Sequence, residues 1–137
     1  MYRKILVPMA LDHGISPNTL EVAKALQGEG AEIIALHVYE AVQGSVTAYL
    51  DEGTIKAGFD RAKEKLNEKL ADIPEAKAAI IQGHSARAII DYADANGIDC
   101  IVIGSHKPGL SDYFLGSTAA RVVRHAPCAV HVIRNTH

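Results

Sequence analysis

Short runs rich in isoleucine and valine recur along the chain, apolar on consecutive rather than alternate residues: Ile5 to Val7, Ile33 to Val38, Ala78 to Ile81, Cys100 to Ile103 and Cys128 to Ile133. A strand apolar on both sides is buried on both faces, the situation of a parallel sheet covered by helices. The segments between the runs carry helical spacing and helical punctuation. Ser16-Pro17 offers a cap followed by proline at the first helical position, Leu20, Ala23 and Leu26 form an inward stripe, and Gly28 and Gly30 stop a helix spanning roughly 17 to 27. From about 53 to 72, Ile55, Phe59, Ala62, Leu66 and Leu70 recur at steps of four and three, with Lys63, Glu64, Lys65, Glu68 and Lys69 on the opposite, solvated face. Ser85 as cap and Asn96-Gly97 as stop frame a third helix, and a fourth begins near Ser117 and ends before Pro127. Arg121, Arg124 and His125 fall in its later turns, where positive charge complements the helix dipole.

Alternating strands and helices with right-handed crossovers predict a doubly wound α/β sandwich with helices on both faces of a five-stranded parallel sheet, a single domain over residues 1–137. Composition excludes several functions. Fourteen basic residues against 16 acidic ones leave a net charge of −2, and two Phe, five Tyr and no Trp supply few stacking platforms, so neither the field nor the surface for nucleic-acid binding is present. The two cysteines, Cys100 and Cys128, stand in apolar runs outside any Cys-x-x-Cys spacing, which predicts buried, inert thiols in a reducing cytoplasm. A short apolar run after Arg3-Lys4, and no apolar segment of spanning length, predict a soluble protein without membrane insertion.

Ligands of open α/β sheets bind outside the carboxyl ends of the strands, so the loops at those ends are the places to search. Pro8-Met9-Ala10-Leu11-Asp12-His13-Gly14 lacks the hydroxyl-rich phosphate loop of a flavodoxin and the acidic pair of a phospho-receiver. Neither Gly-x-Gly-x-x-Gly after the first strand nor a P-loop is present. The loop from Gly104 to Thr118 is richer. Gly104 permits a close turn at the strand end, Gly116-Ser117-Thr118 sets small residues and hydroxyls at the start of the last helix, and Lys107 adds a full charge opposite a phosphate. The alternative is that Gly104 and Gly109 are turn residues and Ser117 a helix cap. Four histidines, His13, His37, His84 and His106, fall near strand ends, but without metal-ligand spacing they predict no dedicated metal site.

Taken together, Tyr2 to Pro8, Ala35-Leu36-His37-Val38, Gly83, Asp99 to Pro108, Leu115 to Ala119 and Val122 to Val130 resemble the universal stress protein family over essentially the whole chain. The resemblance implies strand order 3-2-1-4-5, an adenine nucleotide alpha hydrolase-like fold, and a homodimer formed by antiparallel pairing of the last strands, here Cys128 to Ile133. It also implies ATP as ligand. The ATP-binding branch of the family carries Gly, two residues, Gly, nine residues, then Gly followed by Ser or Thr. Gly104 matches the first glycine and Gly116 with Ser117 the final pair, while Lys107 fills the second glycine slot, Gly109 follows two places later, and the run is one residue shorter.

The resemblance places adenosine contacts at Pro8, Met9, Ala10 and Val38, with Gly83, Ser105, His106 and Thr118 completing the site. Where the family usually has an Asp two places after the proline, this chain has Ala10, with Asp12 two positions further on. The implied function is an ATP-binding stress-response regulator, a nucleotide-dependent dimeric switch acting on a client protein, with Mg or Mn held mainly by the phosphates. The rivals are a nucleotide-free dimeric scaffold and a slow ATPase or autophosphorylating protein. For the last, the sequence offers no assignable base to activate Ser117 or Thr118.

Overall fold

A computed structural model describes residues 1–11, 17–40, 52–105 and 116–134. The strands are β1 (Tyr2–Pro8), β2 (Gln27–Tyr39), β3 (Ala76–Gln82), β4 (Cys100–Gly104) and β5 (Ala129–Ile133), and the helices are α1 (Pro17–Leu26), α2 (Glu52–Leu70), α3 (Ser85–Ala95) and α4 (Ser117–His125). All strand pairs are parallel, in the order β3-β2-β1-β4-β5. The expected sheet and its strand order are both present.

Alternation along the central strands sorts the core into two layers. On one face Ile5, Val7, Ile33, Cys100 and Val102 pack with Ala23 of α1, continuing into Met9 and Ala35 under Leu66 and Leu70 of α2. On the other, Leu6, Ile34, Leu36, Val38, Ile101 and Ile103 pack with Ala88, Ile89 and Ala93 of α3 and with Ala119 and Val122 of α4. Ile5, Leu6, Ile101 and Val102 are wholly excluded from solvent. Burying one such aliphatic side chain stabilises the fold by about 1.5–3 kcal/mol.

Helix α1 departs from expectation at its end and on its inner face. It stops at Leu26, and Gly28 and Gly30 belong to β2 rather than to a helix stop. Between the pairs Tyr2↔Gln27 and Lys4↔Glu32 the β1/β2 register shifts, so β2 bulges there. A Cβ on Gly28 would meet the Met1 nitrogen at 2.9 Å, and Gly30 has φ +73°, so both glycines serve the bulge. The buried residues of α1 are Thr19 and Ala23, whereas Leu20 and Leu26 are half-buried. In α2 the inward stripe narrows to Ala62, Leu66 and Leu70, with Phe59 set edge-on to Tyr39 at a centroid distance of 5.9 Å.

Ser85 is not the cap of α3. His84 holds that position, and Ser85 is the first helical residue. Its N–H and hydroxyl both donate to Oε1 of Glu40, at 2.8 and 3.1 Å. The predicted stop holds: Asn96 caps the helix and Gly97 takes φ +66°. Cys100 and Cys128 pack on opposite faces of the sheet. Cys100 is buried as expected and Cys128 only half-buried. Burial pushes both thiols up, Cys100 to about 11.

Candidate functional site

The chain reverses its direction of winding between β1 and β4, because β2 and β3 are added on one side of β1 and β4 and β5 on the other. At such a switch point the loops leave in opposite directions and a crevice opens at the strand ends. Pro8 helps to open it. The Met9 N–H donates to the Leu36 carbonyl of β2 at 2.9 Å, so by alternation the backbone nitrogen of Pro8 faces β4, where it has no hydrogen to give. The β1/β4 pairing is Ile5↔Cys100 and Leu6↔Ile101, and it ends before Pro8.

Gly104 lies across this crevice, at the end of β4 and paired with Ile133. Its φ is not in the left-handed region, and among the described residues a Cβ built on it would meet no atom within 4 Å. The turn expected of this glycine is therefore absent: it is extended strand, and the missing side chain leaves open space rather than relieving a clash. Ser105, buried at 5% exposure, joins two elements through its backbone. Its N–H donates to the Ile133 carbonyl at 2.9 Å, and its carbonyl accepts from the Gly116 N–H at 3.1 Å. The start of α4 is thereby tied to the β4/β5 end of the sheet, and neither amide remains for a ligand.

Gly116, not Ser117, is the N-cap of α4. The first intrahelical bond runs from the Ala120 N–H to the Gly116 carbonyl, so the amides of Ser117, Thr118 and Ala119 have no acceptor within the helix. A glycine cap has no side chain to offer them. Helix α3 is the opposite case, since the Glu40 carboxylate already occupies its N-terminus. Among the described residues no side-chain cap is made at Gly116, and the start of α4 carries the half positive charge that suits an anion.

The other expected site residues are distributed unevenly. Met9 is buried against Ala35, Leu66 and Leu70, Ala10 is exposed beside it, and Val38 is a core residue on the α3/α4 face. Gly83 stands at the end of the edge strand β3, two strands from the crevice. Its N–H is taken by the Tyr39 carbonyl at 3.1 Å, and a Cβ there would meet Ala88 at 3.1 Å, so it serves close packing of α3. Ser117 is exposed and Thr118 half-buried. Asp12, His106, Lys107 and Gly109 lie outside the described residues, as do His13, Tyr113 and Phe114.

Three observations here fit an anionic group such as a phosphate: the open space beside Gly104, the first-turn amides of α4, and the end of the β1/β4 pairing before Pro8. Among the described residues no group of three His, Cys, Asp or Glu could hold a metal ion. No helix among them is long and apolar enough to cross a membrane. A groove of about 250 Å³ lies elsewhere, along the outer edge of β3 between Lys63, Leu66 and Asn67 of α2 and Tyr92 of α3.

Two contacts at the carboxyl ends of the strands escaped the sequence reading: the Glu40 carboxylate on Ser85, and the ring of His37, whose Nδ1 lies 3.1 Å from the Met9 carbonyl oxygen. Glu40 follows an apolar run and His37 stands within it, the one local signal available, but the partners are 45 and 28 positions away.

Comparison with known proteins agrees with this architecture. The universal stress protein family model matches residues 1–134. A universal stress protein of Thermus aquaticus is 33% identical over 139 residues, covering 98% of this chain and all of that protein. The solved structure of the universal stress protein UspA from Lactobacillus plantarum is 28% identical, covers 97% of this chain and 98% of its own, and superposes with a TM-score of 0.73. At lower identity the fold is shared with an Arabidopsis thaliana family member with AMP bound (24%, TM-score 0.59) and with a universal stress protein in complex with cAMP (21%, TM-score 0.59). The sheet order, the crevice at its switch point and these matches together place the chain in the universal stress protein family.

Proposed function

We propose that the chain binds an adenine nucleotide, ATP in particular, in the crevice between the ends of β1 and β4, and that it acts as a nucleotide-dependent regulator. The observation that carries the reading is the contrast between two helix starts: Glu40 fills that of α3, while α4 begins at Gly116, a residue with no side chain to cap it. Phosphates would rest on the amides of Ser117, Thr118 and Ala119 and the hydroxyls of Ser117 and Thr118, and the nucleoside would lie along Met9, Ala10 and the end of β2. Mg²⁺ or Mn²⁺ would travel with the phosphates. That two proteins of the same fold hold AMP and cAMP supports adenine as the base.

Binding does the work in this reading. A nucleotide that favours one arrangement of the β4–α4 connection shifts the population by its differential affinity, and the altered surface is what a client protein reads. Pairing of β5 with a second copy would complete a dimer: β5 is an edge strand with His131 exposed and Val130 and Val132 turned toward the core.

Acid extraction of the purified protein, followed by identification of the released small molecules, tests the reading together with thermal melting in MgATP. A ligand at one hundred times its Kd adds about 2.7 kcal/mol, a rise in Tm on the order of 10 °C for a domain of this size. No released adenine nucleotide and no shift with ATP, ADP or AMP would leave the nucleotide-free scaffold as the better account. Labelled γ-phosphate retained on the protein would favour the autophosphorylating alternative.

A further inference from the structure

We infer that His37 is a positioning residue of the nucleotide site: by donating its Nδ1–H to the Met9 carbonyl, it sets the orientation of the Met9–Ala10 peptide that borders the crevice. The inference rests on the nucleotide reading above.

Met9 is held at both ends by consecutive residues of β2. Its N–H donates to the Leu36 carbonyl at 2.9 Å, and its carbonyl accepts from the His37 ring at 3.1 Å. Its side chain, 8% exposed, is packed under Leu66 and Leu70. A carbonyl oxygen only accepts, so the imidazole must carry its proton on Nδ1; the other neutral tautomer would set a lone pair against the oxygen.

The consequence falls on Ala10. In a planar trans peptide the N–H points opposite to the preceding C=O. With the Met9 carbonyl turned toward β2, the Ala10 amide is turned to the side where β4 and Gly104 end. Ala10 is exposed and carries only a methyl group, so what it can offer a ligand there is main chain. The ring of His37 thereby fixes the direction of a backbone donor at the border of the crevice while touching no ligand itself.

Two variants and one spectrum test this. Asparagine carries its amide nitrogen where imidazole carries Nδ1 and can donate to the same carbonyl; leucine fills similar space and cannot. His37→Asn is expected to bind MgATP within about threefold of the unaltered protein and His37→Leu about tenfold or more weakly, the scale of one lost hydrogen bond at a part-buried acceptor. Nitrogen-15 correlation of the imidazole in the unliganded protein is expected to show the Nδ1–H form of His37, a measurement that stands even if His37→Leu does not fold. An Nε2–H form, or equal affinity for the leucine variant and the unaltered protein, overturns the role of His37 alone. Failure of the unaltered protein to bind ATP or AMP overturns the nucleotide reading and this role with it.

Discussion

Lys4 and Asp99 are joined twice: the Lys4 N–H donates to Oδ1 of Asp99 at 3.0 Å, and the Asp99 N–H donates to the Lys4 carbonyl at 3.1 Å. The second carboxylate oxygen accepts from the Arg3 N–H at 2.9 Å. A side chain thus continues the β1/β4 ladder at the end of the sheet opposite the crevice, where β4 has not yet begun.

This clasp predicts a pH-dependent stability. Partial burial raises the Asp99 pKa, but the N–H groups of Arg3 and Lys4 outweigh it and hold the carboxyl below its ordinary range. A depressed carboxylate contributes stability that is complete above the unfolded-state pKa and is lost as pH falls through the lower folded-state value. Asp99→Ala should cost about 1–2 kcal/mol in urea melts at pH 7, at the lower end because the site is partly solvated. The gap between variant and unaltered protein should narrow as the pH is lowered below 4, toward the ordinary carboxylate range and beneath it.

Gly104→Val separates ligand binding from folding. Among the described residues a Cβ at this position meets no atom within 4 Å and the backbone is ordinary strand, so Tm should change little, while the branched side chain fills the space assigned to the nucleotide. Isothermal titration should give a loss of affinity of about a hundredfold or more, the scale of a steric block that forfeits several hydrogen bonds. Undiminished binding in the folded variant would displace the site from β4.

Glu40 should act on stability and not on nucleotide affinity, because it serves α3 rather than α4. Glu40→Ala removes the acceptor of the Ser85 N–H and hydroxyl and should cost about 0.5–2 kcal/mol. Glu40→Gln keeps an acceptor but loses the charge at the helix start, about 0.3–1 kcal/mol. Denaturant midpoints ordered Glu, Gln, Ala, with ATP affinity unchanged throughout, are the expected result.

The thiols should be unreactive in the folded state. Burial pushes Cys100 to about 11, and Cys128 also titrates above its usual range, so little thiolate exists at neutral pH. Alkylation with iodoacetamide at pH 7.5 should proceed at the rate of unfolding for Cys100 and faster for half-buried Cys128. Oxidation should form no bond between them, since they stand on opposite faces of the sheet.

Much of the layout at the strand ends was readable without coordinates. Proline at position 8, glycine at 104 and the Gly116-Ser117 pair are local marks of a strand end or a helix start, and all four occupy such positions. Their roles were less readable. Gly104 looked like a turn and is extended strand; Ser117 looked like a cap and stands one place inside it; Gly83, grouped with the site, is packing against Ala88.

Element type and order follow from the chain alone because hydrophobic period, proline position and glycine at positive φ are properties of near neighbours, as Pro17 at the start of α1 and Gly97 after α3 illustrate. The contacts that tie the sheet and its helices together join residues far apart: His37 to Met9 across 28 positions, Ser85 to Glu40 across 45, Arg3 to Asp99 across 96. Such pairs come within hydrogen-bonding distance only once the crossovers have ordered the strands, and no local period records a partner in another strand. The sequence determined which segments fold and as what; the sheet decided which of their groups meet, because only the pairing of strands distant in the chain brings those groups within reach.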